Sequence, residues 1–157
     1  MNGRERLESY VRENGVRFEV EEHPTAYTAQ KIAASEHVPG RMFAKVVMAT
    51  TNGELVMLVL PAPSVVDLAK VSDVIGRPVR LAGESEFATA FSDCEAGAMS
   101  PFGNLYDVPV YVDRALGRNE RIVFQAGTHS VTMSVAYADF ERMAGPTVAD
   151  IAVARST

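Results

Sequence analysis

"RMFAKVVMATTNGELVMLVLP", residues 41–61, holds two β-prone runs joined by Asn52-Gly53, and its reading decides the fold. Asn-Gly between apolar runs is the strongest short-range hairpin signal, because a type I′ turn needs positive φ at both central residues. Counting back from that two-residue turn pairs Thr51 with Glu54 and Lys45 with Leu60. Both runs are apolar on both faces, so the hairpin is expected to be central in a sheet and covered on each side.

Outward from the hairpin, the pattern mixes helices and strands. Residues 3–14 read as a helix, with Leu7 and Val11 one turn apart and Asn14-Gly15 as its stop. "RFEVEEH" alternates Phe18 and Val20 against charges, as a half-exposed strand does, and "TAQKIAASEHV" reads as a short helix ended by Pro39-Gly40. "SVVDLAKVSDVIG" has Ser64 and Asp67 in capping-box spacing and ends in Gly76, which predicts a further helix. A strand is expected near 79–82, a helix over about 84–91, strands near 109–113, 121–126 and 130–136, and a helix near 137–144. There is no regular βαβ alternation, so the class is α+β with a mixed, mainly antiparallel sheet.

The 157 residues suit one domain, 1–157, with no repeat, linker or low-complexity tract. Apolar residues make up 47% and charged ones 22%, which sets aside disordered and fibrous classes. No apolar run is long enough to span a membrane, and the charged start MNGRERLESY does not read as a signal peptide. One cysteine, Cys94, allows no internal disulfide, so a cytoplasmic location is expected. The net charge of −5 argues against a non-specific nucleic-acid coat while leaving room for a small basic footprint. Arg77 with Arg80, and Arg114 with Arg118 and Arg121, are read as scattered solvated arginines.

Two features ask for a chemical explanation. Lys45 is the one charge in Phe43–Ala49, and by period two it shares a face with Phe43, Val47 and Ala49. A lysine there needs an anionic partner or a wet cleft, unless it is a gatekeeper on an edge strand. The second is "EAGAMSPFGN", residues 95–104, which can hold neither helix nor strand yet carries apolar Met99 and Phe102. Gly97 permits torsions or close approach that a side chain would block, and Pro101 stiffens the turn. Such a turn can aim successive N–H groups into a concavity for an oxyanion, or it can be a plain structural bend.

The pieces "FAKVV", "LVLPA", "GAMSPFG", "VPVYVD" and "QAGTHSVTMSV" resemble, in order and spacing, the YbaK/prolyl-tRNA-synthetase-associated family of aminoacyl-tRNA deacylases. The resemblance is strongest over residues 25–145, and its most specific pair is the strand lysine followed by the Gly-x-x-x-Pro loop. It implies a compact α+β domain whose curved, barrel-like sheet frames one cleft. It also implies hydrolysis of the ester joining a wrong amino acid to tRNA, without metal or cofactor, by a free-standing trans-acting protein. The partners implied are the 3′ acceptor end of an aminoacyl-tRNA and, left open, an aminoacyl-tRNA synthetase.

On that resemblance, Lys45 and His129 are the expected catalytic residues. The substrate-binding set is Gly97, Ala98, Met99, Ser100, Pro101, Phe102 and Gly103, with Tyr27 and Thr28 at the cleft edge. Met99 and Phe102 would anchor the loop or wall the pocket, and Thr28 also reads as a helix N-cap. His129, in "GTHS", would orient water or a substrate hydroxyl, or serve as a polar turn residue. Ser100 does not sit in the Gly-x-Ser-x-Gly elbow of a serine nucleophile, and Cys94 reads as a small buried hydrophobe. His23 and His37 read as structural or exposed, Asp113 as a turn cap, and three separated histidines make no metal set. Val46 stands where some alanine-selecting relatives carry asparagine, so serine, threonine, alanine and cysteine all remain as the removed amino acid. The rival is a non-catalytic module that binds tRNA ends, nucleotides or a synthetase. A third reading is a small-molecule ester or amide hydrolase.

Overall fold

A computed structural model describes residues 1–154. The hairpin forms in the expected register: β2 (Ala44–Thr51) pairs antiparallel with β3 (Glu54–Pro61), with Thr51 opposite Glu54 and Lys45 opposite Leu60. Asn52 and Gly53 have φ of 52° and 78°, the left-handed values a type I′ turn requires. These strands follow α1 (Gly3–Glu13), β1 (Glu19–Glu22) and α2 (Ala29–Ser35). After them come β4 (Ser64–Val66), α3 (Leu68–Ile75), β5 (Arg80–Leu81), α4 (Glu84–Phe87) and β6 (Val110–Asp113). The described chain then runs through β7 (Arg121–Gln125), β8 (Val131–Ala136), α5 (Tyr137–Ala144), β9 (Thr147–Ala149) and β10 (Ala152–Ala154).

The hairpin is the middle of a five-stranded sheet ordered β5-β2-β3-β6-β9. β5-β2-β3 is antiparallel, whereas β6 joins β3, and β9 joins β6, in parallel. A second antiparallel sheet is ordered β1-β8-β7, and β4 pairs with β10. The class is therefore α+β, mixed and mainly antiparallel, as expected. The expected barrel-like closure does not form. The strands divide among three sheets, and one parallel bridge, Phe43 with Val123, ties the large sheet to the three-stranded one.

Alternation along β2 feeds three apolar clusters, one from the even face and two from the odd. Ala44, Val46 and Met48 face the main one, with Met57, Phe102, Phe124 and Phe140. From the odd face, Phe43 packs with Ala29, Ile32, Ala33, Ala62 and Val123, while Ala49 and Val47 meet Leu58 and Val71. α1 enters the main core through Leu7 and Val11 and is fastened at both ends. Its Gly3 N–H donates to the Asp93 carbonyl (2.7 Å), Arg6 pairs with the Asp93 carboxylate (2.9 Å), and the Tyr10 hydroxyl donates to the Met143 carbonyl (2.8 Å).

Several boundaries differ from the sequence reading: α2 ends at Ser35, short of Pro39-Gly40, and the strand near 79–82 is Arg80–Leu81. The third helix is capped by Asp67, whose carboxylate accepts from the N–H groups of Ala69 and Lys70 (3.0 and 3.2 Å). Ser64 belongs instead to β4, because pairing with the distant β10 claims its backbone. α4 stops after Phe87, and the chain continues in turns that bury Phe91. Among the described residues, no helix is long and apolar enough to cross a membrane.

Candidate functional site

The loop after α4 is held where the β7–β8 bend can grip it. Glu95 N–H donates to the Gly127 carbonyl (2.8 Å) and Gly127 N–H returns a bond to the Ala98 carbonyl (2.9 Å). The Glu95 carboxylate accepts the backbone N–H of His129 at 3.0 Å, across 34 residues of sequence. His129 Nε2 lies 2.7 Å from the Ala96 carbonyl. A carbonyl only accepts, so Nε2 carries the hydrogen and Nδ1 is a lone pair in the neutral ring. That Nδ1 is buried and has no hydrogen-bond partner among the described residues.

Gly97 has φ of 80°, and an added Cβ would come no closer than 3.8 Å, to His129 Cε1. The position therefore demands glycine for its torsion and not for space. Downstream, the loop dives into the main core. Met99 is buried there, and the Phe102 ring meets those of Tyr10, Phe124 and Phe140 edge-on, with centroids 5.4–6.0 Å apart. Both side chains are thus packed into the main core. Ser100, Pro101 and Gly103 are buried with them. The Ala98 N–H is taken by the Glu95 carbonyl (3.0 Å), which removes it from any anion-binding set.

On the open side stands Tyr27, 73% exposed, its ring centroid 4.7 Å from that of His129, which is 8% exposed. Ala26 N–H donates to the His129 carbonyl (3.3 Å), fixing this segment to the bend. Thr28 caps α2, its hydroxyl accepting from Lys31 N–H at 3.2 Å.

Lys45 is half-buried, and its Nζ donates to the Ala62 carbonyl at 3.0 Å. It leaves β2 on the odd face, whereas Met99 and Phe102 lie under the even face, with Ala44 and Met48. Ala62 packs with Ala29, the first residue of α2; Thr28 and Tyr27 precede it; and Tyr27 rests on His129. Tyr27, Ala96, Gly97 and His129 are brought together directly, whereas Lys45 is held at the Ala62 carbonyl on the other face of β2 from Met99 and Phe102. Sequence reasoning missed Glu95, whose partner lies on a distant bend. It also missed Glu36, the residue that ends α2.

A cleft of about 410 Å³ lies on the outer face of the three-stranded sheet, lined by Glu19, Glu21, Glu36 and Thr132 among others and by none of the site residues read from the sequence. Cys94 sits against Tyr106 and Asp93, and burial pushes its thiol up to about 11. Asp113 caps the turn after β6 through Ala115 N–H (3.1 Å) and also accepts Ile151 N–H (3.0 Å).

A mixed α+β scaffold with a Gly-x-x-x-Pro loop locked to a histidine-bearing bend defines the class. The chain belongs to the aminoacyl-tRNA editing domain family, whose model matches residues 23–143. Among solved structures, it is similar to "a putative trans-editing enzyme for prolyl tRNA synthetase", at 19% identity and TM-score 0.85, with 98% of each chain covered. The hypothetical protein APE2540 is also similar, at 19% identity and TM-score 0.86, with 94% of this chain and 99% of that one covered. No curated protein matches the chain.

Proposed function

We propose that this chain is a free-standing, single-domain, cytoplasmic deacylase that hydrolyses the ester of mischarged tRNA bearing a small amino acid. The observation that carries the reading is the junction of Gly97 and Ala96 with His129, within a chain of the editing family. Lys45 would hold the terminal phosphate region or polarise the ester carbonyl. The N–H groups of Gly97, Met99 and Ser100 are the candidates to receive the developing oxyanion, and Phe102 and Gly103 support that backbone from beneath. His129 would orient water or the substrate's ribose hydroxyl, with Tyr27 and Thr28 at the rim.

In this scheme the free ribose hydroxyl of the substrate orients the attacking water and relays a proton, accepting one from the water while passing its own to the neighbouring ester oxygen. The water oxygen adds to the acyl carbon, the bond from that carbon to the ribose oxygen breaks, and the released ribose oxygen takes the proton. Catalysis then rests on positioning and electrostatics, which suits the absence of a Ser-His pairing in the loop sequence. The likeness to a fold described as trans-editing for prolyl-tRNA synthetase supports tRNAs charged by that enzyme as the first substrates to try.

The deciding experiment incubates the purified chain with a panel of tRNAs mischarged with alanine, serine, threonine or cysteine. Multiple turnover on at least one, retained within a few-fold by Ser100→Ala, is expected. Stoichiometric binding without hydrolysis would turn the assignment to a binding module. Hydrolysis of free aminoacyl esters alone would turn it to a small-molecule hydrolase.

A further inference from the structure

Three nearly inaccessible polar side chains meet at the end of the cleft on the three-stranded sheet. The side chains of His23 and Glu36 are 3% and 1% exposed, and His23 Nε2 lies 3.5 Å from Glu36 Oε2. Both Glu36 oxygens accept from the Thr132 hydroxyl, at 2.9 and 2.8 Å. His23 Nδ1 lies 2.8 Å from the Pro24 carbonyl, so Nδ1 must carry a hydrogen. Nε2 lies toward the buried carboxyl group, and among the described residues it closes no hydrogen bond. If neither partner were protonated there, a lone pair and a carboxylate would oppose each other out of reach of water, which is costly.

We propose that His23 and Glu36 hold one proton between them, and that this clasp positions segment 23–28 so that Tyr27 lies on His129. The segment is short and tied at both ends. His23 N–H donates to the Ser130 carbonyl (2.9 Å), Ala26 N–H to the His129 carbonyl, and Thr28 starts the helix that Glu36 ends. Glu36 thus holds the far end of α2 to β8 through Thr132, while His23 holds the near end of the segment. His23 and Glu36 are positioning residues, acting on the site through Tyr27. The inference rests on the proposed function only in placing Tyr27 and His129 at that site.

The charged surroundings set the sign. Glu19 and Glu21 from β1 line the same cleft, Arg121 from β7 is held by Ser134 of β8, and Lys31 and His37 are exposed on and after α2. Burial pushes the Glu36 carboxyl above its ordinary range; the Thr132 hydrogen bond opposes this, Glu21 adds to it and His23 opposes it. A carboxyl raised in the folded state contributes stability that is fully present below its unfolded value. That contribution is lost as pH climbs through the folded value. The clasp therefore loosens from the ordinary glutamate range upward.

The test is a pH titration of the full chain, labelled with 15N and 13C, from about pH 4, in the ordinary glutamate range, up to about pH 8. His23 Nδ1 is expected to stay protonated, while Nε2 and the Glu36 carboxyl carbon change in one common step. Nuclear Overhauser contacts between the Tyr27 and His129 rings are expected below that step and lost above it. In Glu36→Gln an amide donates to Nε2 without titrating, so the ring contacts should persist across the range. An unprotonated Nε2 facing an ionised Glu36 throughout would overturn the proposal, as would Glu36→Gln contacts that follow the wild-type pH course. If the variant does not fold, the wild-type titration decides alone. None of these readouts involves turnover, so failure of the deacylase reading would be seen separately.

Discussion

His129 donates through Nε2 to the carbonyl of Ala96, the residue just before Gly97, at 2.7 Å. That one bond fixes the tautomer of the ring and the height of the loop together. Its other nitrogen is buried without a hydrogen-bond partner among the described residues, and the Tyr27 ring lies over the imidazole.

Lys45→Ala is expected to reduce kcat/KM on mischarged tRNA by about 10²-fold or more, the scale of losing one electrostatic contact to a developing charge. The fold should persist. Losing the bond to the Ala62 carbonyl costs about 1 kcal/mol, or roughly 2–4 °C in Tm. Steady-state kinetics beside a thermal melt separates the two effects, and undiminished turnover would remove Lys45 from the site.

Gly97→Ala tests the torsion. There is room for the methyl group, so the penalty is the left-handed backbone alone, about 1–2 kcal/mol. A melt should fall by only a few degrees while deacylation drops at least about tenfold, because the loop relaxes away from His129. Equal activity in the variant would show that the positive φ serves folding and not chemistry.

The Cys94 thiol should be sluggish. A value pushed up to about 11 from the usual 9.0 lowers the thiolate fraction on the order of 10²-fold near neutral pH. Labelling with a thiol reagent should be slow in the native protein and fast in urea, and Cys94→Ala should keep its turnover. Rapid native labelling would contradict the burial described here.

Asp113→Ala leaves two backbone N–H groups, of Ala115 and Ile151, without their acceptor and should cost about 2–4 kcal/mol in chemical denaturation. Asp113→Asn keeps one good acceptor and should fall between the variant and the parent. A loss below about 0.5 kcal/mol would mean that neither bond matters to stability.

The sequence was most legible where the signal is local. Asn52-Gly53 set the register of β2 and β3 to the residue, and the helix over 137–144 forms with those bounds. The short strands β4, β9 and β10 went unread, because three residues carry no period and their partners lie far along the chain. Ser64 and Asp67 read together as one capping box, but pairing with β10 draws Ser64 into a strand and leaves Asp67 as the cap itself. At the site, the loop and the bend were both noticed, but the Glu95 and Ala96 bonds that join them span more than thirty residues. Glu36 looked like an ordinary helix-end charge until folding buried it against His23 and Thr132.

α1 lies ahead of the stretch that the family model covers, yet its first turn grips Asp93, two residues before the loop begins. Transplanting residues 23–143 alone into another protein would therefore carry the loop and the bend without their brace. Conversely, sequence drift in that leading helix gives natural selection a remote handle on the geometry of the bend, one that alters no group facing the substrate.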